Sequence, residues 1–492
     1  MKFRVFKNGK VVNKFTLCGA YLFGGDGIGI RKAQVTFKDG LVQCTRPNLD
    51  TAGLALLWPV EGYGRVLLPT TCLPEKEKPY NLNVEIARAK FMQIINKREE
   101  WSFFNSIEGL TDLLKEAQDL FIKAIQNIGD SSKASKLADE SLKKGIIVSE
   151  KLAIKQAESQ VKARAGGPIS SQNYLGCSVD PTRVTDPIYV EHLLKSFGSV
   201  TIPVNWGRIE KRKGKFDFST IDTCIDALGN KNLALSAGPL LRFSKDFLPD
   251  WLIDGGAGFE RIRDTAYRFI TKIVPRYSRQ VRKWHAISGL NTQNHFGFGF
   301  EQILEMTRAA SMAVKQASNK AMKIIEVSNP WGEYYASTPN SIPPLVYMDM
   351  IVQSGTPFDG FGLQMRFGRN QSGMHIRDMM QISAILDYLG PISKPLHLTN
   401  VAVPSRNGDG LQDGKVAGIW HKPWNEEQQG RWIKQFCTIA ISKPFVHSIT
   451  YANLVDSAGS AIAGSGLLTD KLEPKDSFKE LRKLHDNIFR RP

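Results

Sequence analysis

The chain has 492 residues, more than one hydrophobic core of ~250–300 residues accommodates, so two or three units are expected. Hydrophobic residues at 42% and charged residues at 23% are those of an ordinary globular protein able to bury a large core. The net charge of +17 raises nucleic acid, an anionic surface or an acidic polymer as partners. The basic residues are scattered, however, the densest clusters being Lys211–Lys213 with Lys215 and Arg490–Arg491. No arginine-rich arm or RNA-binding aromatic signature appears, so nucleic acid is not an expected partner.

The N-terminal MKFRVFKNGKVVNKF alternates apolar and polar residues, which reads as a strand and not as a secretory signal. No run of about 18 apolar residues exists, so no membrane span is expected and the cytoplasm is the expected compartment. The six cysteines, Cys18, Cys44, Cys72, Cys177, Cys224 and Cys437, form no C-x-x-C pair. They read as free buried thiols of a reducing compartment, and neither a metal site nor a cofactor is expected.

Residues 1–78 read as a small antiparallel β domain of sandwich or barrel type. Short runs at Phe3–Val5, Val35–Phe37, Leu41–Cys44, Leu54–Trp58 and Arg65–Leu68 are separated by turn signals at Asn8-Gly9, Asp39-Gly40 and Gly62-Tyr63-Gly64. Residues 79–165 read as an α-helical segment: apolar residues at helical spacing over Asn81–Asn96, then two long amphipathic helices at about Ile107–Gln126 and Ser131–Arg164. These last two suit a helical hairpin, which packs on a neighbour or joins copies into a homo-oligomer through residues 107–164. Ala165-Gly166-Gly167-Pro168 marks a linker.

Residues 170–492 alternate strand and helix patterns. Strands are expected near Tyr174–Cys177 and at Ser199–Pro203, Ala234–Ala237, Lys283–Ile287, Lys323–Val327, Phe361–Gln364, Leu396–Asn400 and Ser448–Ala452. Eight such units fit a (β/α)8 TIM barrel, with a doubly wound sheet as the alternative. No G-x-G-x-x-G follows a strand and no P-loop occurs, so a nucleotide fold has little support; no H-E-x-x-H or G-x-S-x-G signals a metal or a serine nucleophile.

Several segments of this region resemble glycoside hydrolase family 10, the endo-1,4-beta-xylanase family, in the family's own order. Trp206 with Arg208-Ile209-Glu210, Gly214-Lys215-Phe216-Asp217-Phe218 and Asp222 resemble its second-strand signature. Leu235–Leu241 with Leu248-Pro249-Asp250-Trp251, and Trp284-His285-Ala286-Ile287-Ser288-Gly289, resemble its third and fourth. Asp359-Gly360-Phe361-Gly362-Leu363-Gln364, Leu396–Asn400, Ser448–Tyr451 with Asp456, and Gly466-Leu467-Leu468 with Asp470 and Pro474-Lys475 follow. The β domain and helical segment ahead of the barrel resemble a planctomycete-type subgroup of that family.

The resemblance implies carbohydrate metabolism: hydrolysis of O-glycosyl bonds in a xylan-like polysaccharide by two glutamates at the C-terminal ends of barrel strands, about 5–5.5 Å apart. Here the acid/base position carries Gly289 and the nucleophile position Asn400. A glycine has no proton to donate, and an amide carries no charge to stabilise an oxocarbenium ion. The family's third-strand histidine is Gly238 and the histidine after Leu363-Gln364 is Arg366. The expectation is therefore a divergent, catalytically impaired or inactive member, a pseudoenzyme that retains a glycan-type cleft. Trp206, Trp284, Trp331, Tyr334, Gln364, Arg366, Asn400 and Tyr451, all near strand ends, are its expected substrate-binding residues, since sugars stack on rings and bond to amides and guanidinium groups. Two alternatives stand beside it: an active glycosidase with displaced carboxylates, Glu333 and Asp456, or a structural assembly protein. Glu326, inside a strand, reads as a buried, paired residue.

Overall fold

A computed structural model describes residues 1–101, 110–164, 174–408 and 410–489. The expected helix start at Ile107, the linker at Ala165–Pro168 and the pair Arg490–Arg491 lie outside them.

The N-terminal part holds two four-stranded sheets. In the first, Gln34–Lys38, Leu41–Thr45, Lys2–Arg4 and Tyr80–Asn81 are neighbours in that order. Asp39 (φ 53°) and Gly40 (φ 74°) turn its hairpin. Two left-handed residues in succession match the twist of the flanking strands, which is why Asp-Gly was legible as a turn. Asn8 and Gly9 do the same between Phe6–Lys7 and Lys10–Val11. The second sheet runs Ile419–Trp420, Gly64–Pro69, Gly53–Val60, Tyr21–Phe23. Its first strand comes from a loop of the barrel, pairing Ile419 with Arg65.

Three helices follow: α1 (Leu82–Glu100), α2 (Leu110–Gln126) and α3 (Ser131–Arg164). The Asn81 side chain caps α1 through the Val84 amide. The apolar stripe of the hairpin is largely covered within the chain. Leu114 and Ala117 of α2 meet Val148, Leu152 and Ala153 of α3, together with Phe91 and Ile94 of α1 and Met380 of the barrel.

Eight parallel strands close a barrel: β1 (Leu175–Ser178), β2 (Ser199–Pro203), β3 (Ala234–Gly238), β4 (Val281–Ser288), β5 (Met322–Ser328), β6 (Gly360–Arg366), β7 (Leu396–Ala402) and β8 (Val446–Tyr451). β8 pairs back onto β1, Thr450 opposite Gly176. The strands are near-continuous runs of buried residues, as a parallel sheet covered by helices requires.

The three parts interlock. Glu150 of α3, 6% exposed, accepts hydrogen bonds from Tyr63 of the β region (2.9 Å) and from Trp420 of the barrel loop (2.7 Å), and sits 2.5 Å from His421 Nε2. Lys90 of α1 forms a fully buried ion pair with Asp378 (2.7 Å), which also N-caps the barrel helix Met379–Leu389. The Leu67 amide bonds to the Ile376 carbonyl, and Arg31 to that of Ser341. These contacts fall on loops after β5, β6 and β7, so the β region flanks the C-terminal mouth of the barrel. Among the described residues no helix is long and apolar enough to cross a membrane.

Candidate functional site

The C-terminal ends of barrel strands are where this architecture places its chemistry. Beside β2, the Trp206–Glu210 motif forms a framework. Glu210, fully buried, accepts from Trp206 Nε1 (2.8 Å), the Gly214 amide (2.8 Å) and Arg268 (3.0 Å), while Trp251 Nε1 donates to its carbonyl (2.7 Å). Trp206 stacks on Phe269 and is 2% exposed.

Inside the barrel, one layer below the mouth, a polar network surrounds Glu326 of β5. Its Oε1 lies 2.7 Å from His285 Nδ1 of β4, and its Oε2 accepts from Gln364 Nε2 of β6 (2.9 Å). Gln364 also donates to Ser288 Oγ (2.9 Å) and accepts from Ser328 Oγ (2.8 Å). A glycine at 362 makes room for this layer, because a Cβ there would lie 2.9 Å from Glu326 Cγ. Burial by itself raises the Glu326 carboxyl. The charge of His285 and hydrogen bonds from His285 and Ser288 outweigh it and bring the carboxyl down to about 2. Glu326 is therefore a buried, paired anion with no proton to give at neutral pH, as its place inside the strand suggested.

At the strand ends, Gly289 follows β4 with φ +69°, and a Cβ there would meet Ser328 Oγ at 3.0 Å. Gly238 ends β3 with φ +142°, where a Cβ would lie 2.8 Å from the His285 carbonyl oxygen. Both backbones are conformations that side chains resist. Asn400 of β7 is half-buried, and its Oδ1 is buried without a hydrogen-bond donor. Arg366 ends β6, also half-buried. Burial lowers its guanidinium to about 10, the neighbouring charges of Arg242 and Arg369 add to this, and Glu326 partly offsets them. Arg242 and Arg369 had no motif to single them out in the sequence.

Several expected site residues are placed elsewhere. Trp206, Trp284, Tyr334 and Tyr451 are 3% exposed or less, so their rings fill the core and offer no face to a sugar. Tyr334 donates to the Ile342 carbonyl (2.6 Å) and accepts from Asn291 (2.6 Å). Gln364 belongs to the buried network. Trp331 lies under the Arg377 guanidinium (4.4 Å to the ring centre) and lines a 740 Å3 groove with Tyr21, Phe23 and Met92 of the N-terminal parts. Strand-end position is readable from sequence; the depth to which a ring turns inward is not. Arg366 and Asn400 are the two of the eight that stay at the mouth with polar groups uncommitted.

The displaced carboxylates are each engaged in holding structure. Glu333, 4% exposed, pairs with buried Arg377 and accepts from the Gly373 amide. It borders a 510 Å3 cavity shared with Leu17, Tyr21, Leu22 and His375. Asp456 is bound by Lys475 (2.5 Å) and the Gly466 amide (2.8 Å). Among the described residues no three His, Cys, Asp or Glu side chains gather as metal ligands would.

The model of the family described as "Glycosyl hydrolase family 10" matches residues 168–483, the whole barrel. Among solved structures, xylanase 10B from Thermotoga maritima is similar at TM-score 0.50 with 14% identity over 68% of this chain and 98% of its own. A family 10 protein from Paenibacillus barcinonensis is similar at TM-score 0.50 and 18% identity, over 66% and 97%. An endoxylanase from a sugarcane soil metagenome matches at TM-score 0.50 and 14% identity, over 63% and 96%. These likenesses are of fold, and each spans nearly the whole neighbour while leaving about a third of this chain unmatched. With an eight-stranded parallel barrel and a family match over well more than half its length, the chain belongs to glycosyl hydrolase family 10.

Proposed function

We propose that this protein binds a saccharide at the mouth of its barrel and does not hydrolyse it. The carrying observation is the absence of an available carboxyl group at the two strand ends where the family resemblance puts its acid and its nucleophile. Gly289 and Asn400 stand there. Glu326, in the barrel interior, is ionised, 3% exposed and held through both oxygens. Retaining hydrolysis needs one carboxylic acid and one free carboxylate facing each other across the bond. Displaced catalysis by Glu333 or Asp456 has less support, because each carboxylate neutralises a cation whose burial would otherwise be costly.

Binding is favoured by the buried, donor-less Oδ1 of Asn400, which a sugar hydroxyl would satisfy, beside the half-buried guanidinium of Arg366. A xylan-type oligosaccharide is the ligand class that family membership suggests. Calorimetric titration with xylotetraose tests the reading: a saturable heat that weakens in Asn400→Ala is expected. Absence of binding, or hydrolysis of the titrant, would overturn it.

A further inference from the structure

Three guanidinium groups meet at the mouth. Arg366 ends β6, Arg369 lies three residues beyond it, and Arg242 lies in the loop after β3. The Leu241–Ile287 bridge carries that loop alongside β4, over the barrel opening. All three are half-buried, and they are close enough for Arg242 and Arg369 to disfavour the charge on Arg366. Among the described residues none of the three has a side-chain hydrogen bond or an ion pair; Arg242 only rests over the Phe247 ring (5.0 Å). Among the described residues, the acidic group acting on Arg366 is Glu326, already held by His285 and Gln364.

Elsewhere in this protein several buried cations have counter-ions: Lys90 has Asp378, Arg377 has Glu333 and Lys475 has Asp456. A half-buried guanidinium cluster without a counter-ion among the described residues is costly to keep and is what recognition of an oxyanion requires. The planar fork of arginine matches carboxylate and sulfate with paired hydrogen bonds. The ring faces that would stack on a neutral sugar are meanwhile turned into the core at Trp206, Trp284 and Tyr451.

We infer that the mouth selects an anionic saccharide, its oxyanion held between Arg366, Arg242 and Arg369. This deepens the saccharide-binding reading and rests on it. The oxyanion is a uronosyl carboxylate or a sulfate ester, the chemistry that the two sources share. Asn400, on the strand next to β6, would take a hydroxyl of the same sugar.

The test is calorimetric titration of the full chain with xylotetraose, with the same oligosaccharide bearing a glucuronosyl branch, and with a sulfated xylotetraose. The variants are Arg366→Gln, Arg242→Gln and, as a control for overall charge, Lys211→Gln/Lys213→Gln in an exposed loop. Unfolding midpoints confirm that each is folded. At least one charged oligosaccharide should bind tenfold or more tighter than the neutral one, and whichever does so identifies the oxyanion. Each arginine variant should lose about ten- to a hundredfold of that affinity, as the removal of a charge-assisted pair does; the lysine variant should keep it. Equal affinity for neutral and charged ligands, or equal losses in arginine and lysine variants, would overturn the inference and leave saccharide binding standing. No binding of any of the three would overturn both.

Discussion

Replacing Glu326 by glutamine removes one charge from the barrel interior while keeping the side chain's shape. In the folded protein the carboxyl is held at about 2 against an ordinary value of 4.5. At about 1.4 kcal/mol per tenfold in the protonation equilibrium, that difference corresponds to about 3 kcal/mol of stability. Because the folded value is depressed, the contribution is fully present above about pH 4.5 and is lost as pH falls from there toward 2. Wild type and Glu326→Gln are compared by urea unfolding at pH 6 and pH 3, followed by the fluorescence of the nine tryptophans. Subtracting the variant from the wild type removes the effect of other carboxylates, among them Glu75 and Asp222, which are also depressed. The wild-type advantage should be about 3 kcal/mol at pH 6 and should shrink by roughly half at pH 3. An advantage that is the same at both values would refute the account of His285, Gln364 and Ser288 as a cradle for an anion.

Three further outcomes are expected. Glu150→Ala strips the acceptor from Tyr63 and Trp420, buried donors of two different parts, and should cost about 2–4 kcal/mol in unfolding free energy, measured by urea denaturation; a cost below about 1 kcal/mol would mean the junction is not a tie between the parts. Lys90→Ala leaves Asp378 charged and buried without its cation, so about 3–5 kcal/mol should be lost, and the double variant with Asp378→Asn should recover part of it. Gly289→Glu with Asn400→Glu should fail to create hydrolysis of an aryl β-xyloside, since residue 289 has φ +69° and a Cβ would crowd Ser328; the strain alone should cost about 1–2 kcal/mol of stability, and measurable turnover would show that the backbone accommodates the acid.

The barrel was legible because its strands are short runs of buried, mostly apolar residues spaced by helical patterns; Ser199–Pro203 has the bounds expected, and the others shift by a few residues at their ends. The helix Ser131–Arg164 was legible end to end for the same reason of periodicity. Ile419–Trp420 was not legible as a strand: two residues in a long loop carry no period, and only the unpaired edge at Gly64-Arg65 makes them one. Nor was the role of Glu150, which looks from sequence like one more polar residue of a long helix. Gly289 and Asn400 were legible as positions at or beside barrel-strand ends, and the surroundings of the mouth were poorly legible. Trp206, Trp284 and Tyr451 stand near strand ends, yet their side chains turn inward, and strand position fixes direction along the barrel but not depth. Arg242 and Arg369 carried no signal beyond being basic residues near strand ends.

The central claim is that this barrel holds saccharide without cutting it, and reducing-sugar release from xylan and from an aryl β-xyloside tests it most directly. Wild type, Glu333→Gln and Asp456→Asn should all stay at the rate of the protein-free blank. Release by the wild type that disappears in either variant would contradict the account and assign catalysis to a displaced carboxylate.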